Sequence, residues 1–218
     1  MSGIGIVLLL IITAALPVIA VFIWFRITKS PVTLLWFLTS LTAGILSIFV
    51  AVLIQRLFPP PGIDGLWVML FGVFIRVALV EEISRLAGLL ILLALIKQYR
   101  KIDTSFFAAL GFVSGLGFAM MESAIYGIAD FGVILLRGVT AAPLHAACAI
   151  RVCMALLAIR KHPIKALFLF ISAVLIHGAY NLMIISPALP SLLAIPIAYA
   201  ALFASIHHFT KPADNDDI

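Results

Sequence analysis

Charge is what this chain has least of: Asp, Glu, Lys and Arg make up 11% of its 218 residues, against 65% hydrophobic. A soluble domain carries about 25% charged residues, so that class is excluded and a polytopic membrane protein remains. Cysteine is nearly absent. Cys148 and Cys153 lie five apart on one predicted helix and do not face each other, which excludes a disulfide framework and leaves two buried apolar side chains. Long polar linkers are also missing. Residues 1–210 therefore read as one transmembrane domain, and 211–218, with Asp214, Asp216 and Asp217, as a disordered acidic cytoplasmic tail. The net charge of +5 does not point to nucleic acid, because the basic residues fall in short clusters between apolar runs, where they orient helices.

Apolar runs of about 20 residues are abundant. They predict an all-α polytopic membrane protein, a bundle of seven transmembrane helices at roughly 4–25, 32–57, 66–97, 104–128, 131–159, 164–186 and 189–209. Turn-forming segments separate them, among them Pro59 to Gly62, Gly127 to Gly132 and Ser186 to Pro190. Arg26 and Lys29, then Lys97, Arg100 and Lys101, then Arg160, Lys161 and Lys165, and finally Lys211 fall on alternate connections. This places the N-terminus outside and the C-terminus in the cytoplasm of a cell membrane. The first run lacks a basic leader and is long enough to cross, so it reads as a retained helix.

Glutamate occurs three times, as Glu81, Glu82 and Glu122, each time inside an apolar run. Counting from the inner ends at 1.5 Å per residue places these carboxylates, His145, His177 and Asn181 at depths of about 20 to 27 Å, nearly one level reached from four helices. Arg85 is i+3 from Glu82 and i+4 from Glu81 and can neutralise either, while His177 and Asn181 share a helix face. Gly111, Gly115 and Gly117 form a small-residue stripe that lets helices approach. Each mid-membrane charge costs about 2.5 to 3.5 kcal/mol, so Glu81, Glu82, Arg85 and Glu122 cost on the order of 10 kcal/mol before pairing. Such an outlay points to chemistry or specific polar recognition within the membrane. Arg76, Arg137 and Arg151 can snorkel, pair with acids or line a water path, Arg151 most easily snorkelling; His162, His207 and His208 read as interfacial.

The Glu81-Glu82-Ile83-Ser84-Arg85 run resembles the EExxK/R motif of PrsW-like intramembrane proteases, and the Phe118 to Glu122 run resembles their FxxxE motif. His145 and the His177-Gly178-Ala179-Tyr180-Asn181 segment are similar to two later polar motifs of that family. The resemblance covers about residues 66–186 and extends in plan to the CAAX-processing membrane proteases. It departs at Arg85, where many members have Lys, and at Ala149, where a second histidine would follow His145. The seven spans, the Gly111 to Gly117 stretch and the later histidines also look like the anterior-pharynx-defective subunit of gamma-secretase, regarded as a non-catalytic scaffold. That similarity implies a scaffold alternative, and a proton or ion relay is a third reading, disfavoured by the lack of an inverted repeat.

The protease resemblance implies peptide hydrolysis in or near the transmembrane segment of a membrane-anchored protein, carried by Glu81, Glu82, Arg85, Glu122, His145, His177 and Asn181. Two adjacent carboxylates in low dielectric suit a general base, which makes Glu81 or Glu82 the candidate. His145, His177 and Asn181 can stabilise the oxyanion. Alternatively Glu122, His145 and His177 bind Zn2+, one carboxylate and two imidazoles being a catalytic zinc set, although the spacing is not HExxH. Metal-dependent and metal-free catalysis both stand at this point, with lipid and a membrane-anchored substrate as partners and no nucleic acid.

Overall fold

The computed structural model describes residues 3–58, 65–94, 104–186 and 189–210, and its regular elements are all helical. In chain order these are α1 (Gly3–Ala14), α2 (Leu16–Ile27), α3 (Leu34–Gln55), α4 (Leu66–Leu70), a π-helical stretch Phe71–Leu79, α5 (Val80–Ala94), α6 (Thr104–Tyr126), α7 (Phe131–Ala158), α8 (Pro163–Ile185), a 3-10 turn Ser191–Leu193 and α9 (Ala194–Thr210). The acidic tail and the basic cluster at 97–101 lie outside the described residues.

α6 and α7 form the centre. Their most apolar stretches are 72% and 78% buried, against 33% for α3 and α8, so the latter turn most of their apolar surface outward, as lipid contact requires. The glycines of α6 set this arrangement. A Cβ at Gly115 would overlap the His145 carbonyl on α7, one at Gly111 would meet Ala149, and one at Gly117 would meet the Leu41 carbonyl on α3. Because Gly115 faces backbone rather than a flexible side chain, Gly115→Val must push α6 and α7 apart. Overpacking of this kind costs about 1–3 kcal/mol. The variant is expected to melt lower in detergent and to lose activity through the displaced His145, both measurable on one preparation.

Among the described residues, five helical segments are long and apolar enough to cross a membrane: α3, α6, α7, α8 and Ser191–His208. The first expected span is a bent pair rather than one helix, α1 and α2 meeting at 43°, and counts as a sixth crossing if the pair is one span. Pro17 explains the break, since it cannot donate to the Thr13 carbonyl and its ring crowds that carbonyl. The expected span 66–97 is likewise not one regular helix. It carries Arg76, Glu81, Glu82 and Arg85, and its winding changes from α to π and back before the glutamates. Two contacts lock the π stretch: the Phe74 ring lies directly on α8 where Gly178 has no side chain, and Arg76 Nη2 donates to the Gln55 carbonyl at 3.2 Å. Arg151 makes polar contacts within the bundle: Nε donates to Ser205 Oγ at 3.0 Å and Nη1 to Ser172 Oγ at 3.1 Å, tying α7 to α8 and α9.

Candidate active site

Glu81 and Glu82 open α5, directly after the π stretch. Adjacent residues on a helix point about 100° apart, so the two carboxylates meet different partners. Glu82 turns towards Arg85, whose Nη1 contacts both carboxylate oxygens, and neither side chain is exposed. Of the two partners that spacing allowed Arg85, this is the i+3 one. The guanidinium also lies 4.4 Å above the Phe118 ring and donates Nη2 to His145 Nδ1 at 3.0 Å.

His145 stands on α7 two residues beyond Pro143, within the helix, where proline removes the bond to the Val139 carbonyl. Guanidinium groups only donate, so His145 Nδ1 accepts, and a neutral ring carries its hydrogen on Nε2. That atom lies 2.7 Å from Glu122 Oε2. Glu122, on α6, is also ion-paired with Arg137 of α7, which sits 4.4 Å above the Tyr126 ring and reaches Ser123 Oγ at 3.4 Å. Asp130 caps the start of α7 by accepting from Gly132 N–H at 2.9 Å, which holds the turn leading back towards Arg137.

His177 comes from α8, its ring 5.0 Å from that of His145 and perpendicular to it. Nδ1 is 2.7 Å from Glu82 Oε1. Glu82, paired with Arg85, accepts, so His177 Nδ1 donates and Nε2 presents its lone pair. Facing it at 3.5 Å is Glu81 Oε2, a buried oxygen without a hydrogen bond. Glu81 Oε1 accepts from Gln55 Nε2 at 3.1 Å.

Two acceptor atoms facing each other in a dry interior repel unless a proton, a water or a cation lies between them. Glu81, His145 and His177 each place a ligand atom within 4.8 Å of the others, and all three are buried. This set differs from the sequence expectation in its carboxylate: Glu81, not Glu122, completes the group, and Glu122 is engaged by Arg137. The donors fit a divalent cation of zinc type, two imidazoles and a carboxylate. Glu82 on His177 Nδ1 supplies the outer carboxylate that such histidines use for orientation. For His145 to join through Nε2, its hydrogen would move to Nδ1 and Arg85 Nη2 would turn from that atom.

Glu81, Glu82, Arg85, Glu122, His145 and His177 therefore form one contiguous buried cluster. Asn181 stands apart, half-buried and without a hydrogen bond to the cluster among the described residues. Glu82, one of the two candidate bases, has both oxygens on Arg85 and no exposure. Gln55 and the pairing of Arg137 with Glu122 were not picked out by any motif. The exposed His162, His207 and His208 take no part. A family model described as PrsW family intramembrane metalloprotease matches residues 30–206, well over half of the chain. No curated protein and no solved structure matches.

Proposed function

This chain belongs to the PrsW family of intramembrane metalloproteases, and from that premise we propose that it is a zinc-dependent endopeptidase cutting a membrane-anchored protein in or near its transmembrane segment. The observation that supports this reading is the orphaned Glu81 Oε2 opposite the His177 Nε2 lone pair. Glu81 and His177 hold the ion, with His145 as third ligand. Bound zinc supplies a Lewis acid for the scissile carbonyl and acidifies the attacking water.

Glu122 is the base. Its side chain is 11% exposed, against 5% for Glu81 and 0% for Glu82, so water and a peptide reach it first. Its carboxylate takes the proton from the attacking water and passes it to the leaving amide nitrogen. Arg137 balances the carboxylate's charge before it takes the proton and after it has passed it on, Glu82 keeps the His177 ring in one tautomer, and Arg85 compensates Glu82.

The chain crosses a cell membrane seven times in this reading, residues 66–94 counted as a span despite their charges. With the N-terminus outside, the site lies in the outer half. The test is cleavage of a purified single-span substrate. Chelator is expected to reduce cleavage to background and zinc to restore it. Glu122→Ala should retain zinc and lose cleavage. Full cleavage in chelator removes the metal from the reading. Cleavage retained in Glu81→Ala/Glu82→Ala overturns the site. Failure to cleave together with stable co-purification of a membrane partner returns the chain to the scaffold alternative.

A further inference from the structure

Gln55 belongs to none of the motifs read from the sequence, yet it is the residue through which α3 reaches the cluster. Its side-chain amide donates to Glu81 Oε1 at 3.1 Å, and its own carbonyl accepts from Arg76 Nη2 at 3.2 Å. Arg76 precedes Glu81 by five residues, so the end of α3 is clasped on both sides of the junction where π winding gives way to α5. The last carbonyls of a helix lack partners within it and the final turn frays. The Gln55 carbonyl takes the Phe58 N–H at 3.2 Å, and the Arg76 contact adds a tertiary tie to the residue that must hold Glu81.

Glu81 also differs from the other two carboxylates. Glu82 is paired with Arg85 and Glu122 with Arg137, whereas among the described residues Glu81 has no arginine within ion-pair distance and takes its hydrogen bond from a neutral amide. A guanidinium in that place would orient the carboxylate and cancel its charge together. An amide fixes Oε1 and leaves the negative charge for whatever Oε2 faces. Oε2 faces His177 Nε2.

We infer that Gln55 is a positioning residue that aims Glu81 Oε2 at the metal without adding a counter-charge of its own. The inference rests on the proposed reading of Glu81 as a zinc ligand. It is tested by titrating zinc into the purified protein against a competing chromophoric chelator, with melting temperature, kcat and KM measured on the same samples. Gln55→Leu is expected to weaken zinc binding about tenfold to a hundredfold, the usual effect of losing an outer partner of a metal ligand, and to lower kcat with KM unchanged. Gln55→Lys keeps a donor and adds a counter-charge. It is expected to melt at or above wild type and still bind zinc at least tenfold more weakly.

A purely structural clasp predicts the opposite for lysine, which would restore both stability and zinc affinity, and that result overturns the inference. Zinc affinity within twofold of wild type in both variants overturns it as well. Ser172→Ala removes a polar tie of similar kind between α7 and α8 and serves as the control with unchanged zinc affinity. Wild-type protein that takes up no zinc overturns the metal reading and this inference with it. Wild type that binds beside variants that bind equally well overturns this inference alone.

Discussion

His177→Ala is expected to remove bound zinc and proteolysis together, by more than the hundredfold that bounds the usual effect of an outer-shell partner. His177 is the member of the cluster whose free atom is fixed by its surroundings. Glu82 takes the Nδ1 hydrogen at 2.7 Å and leaves Nε2 as a lone pair in a buried, desolvated place. Truncation deletes that lone pair and puts nothing in its stead. Glu82 keeps Arg85 and Glu81 keeps its hydrogen bond from Gln55, so the fold should survive in a form that melts cooperatively. Metal analysis of the purified variant, beside cleavage of a single-span substrate, decides the matter. A variant with full zinc and full cleavage would refute the assignment. A variant with full zinc and no cleavage would move His177 from ligand to transition-state donor.

The largest loss of stability is expected at Arg85. Arg85→Leu leaves Glu82 fully buried with its counter-charge gone, and also strips His145 Nδ1 of its donor and Phe118 of its cation. Breaking a buried pair from one side costs about 3–5 kcal/mol, a large share of the roughly 5–15 kcal/mol that holds a typical protein folded. Removing both partners has the reverse logic. Glu82→Leu/Arg85→Leu replaces two desolvated charges with apolar side chains, a change that is often neutral or stabilising. The double variant is expected to recover most of the melting temperature lost by the single one while binding zinc about tenfold to a hundredfold more weakly, since His177 Nδ1 has lost its acceptor. Melting curves in detergent for wild type, the two single variants and the double form the cycle. An Arg85→Leu protein as stable as wild type would show that the pair is not what keeps Glu82 in the core.

Depth along the helices was readable because the rise per residue is fixed. Counting from the basic ends puts Glu81, Glu82, Glu122, His145 and His177 on nearly one level, and in the structure these five side chains meet. Rotation about the helix axes was not readable in the same way. Spacing allowed Arg85 either glutamate, and only packing assigns it to Glu82; spacing put Asn181 on the face of His177, and packing leaves it outside the cluster. Gln55 had no signal beyond being a polar residue at the end of an apolar run. The bend between α1 and α2 did have one, in Pro17, but an apolar run long enough to cross outweighed it. The π stretch left no trace, since a nine-residue run with the single charge of Arg76 is too short for its spacing to tell π from α winding.

That stretch has a consequence for how the chain tolerates change in length. In an α-helix, losing one residue turns everything beyond it by about 100°, which would swing Glu81 and Glu82 away from α3 and α8. The Phe71–Leu79 segment, bonded i to i+5, already carries slack just ahead of the glutamates. A deletion there can be absorbed by rewinding to α geometry, with Gln55 and His177 holding the glutamates in place from the far side. The same deletion placed inside α5, between Glu82 and Arg85, has no slack to draw on and separates the buried pair. Shortening of the chain near the site should therefore be survivable before the glutamates and ruinous after them.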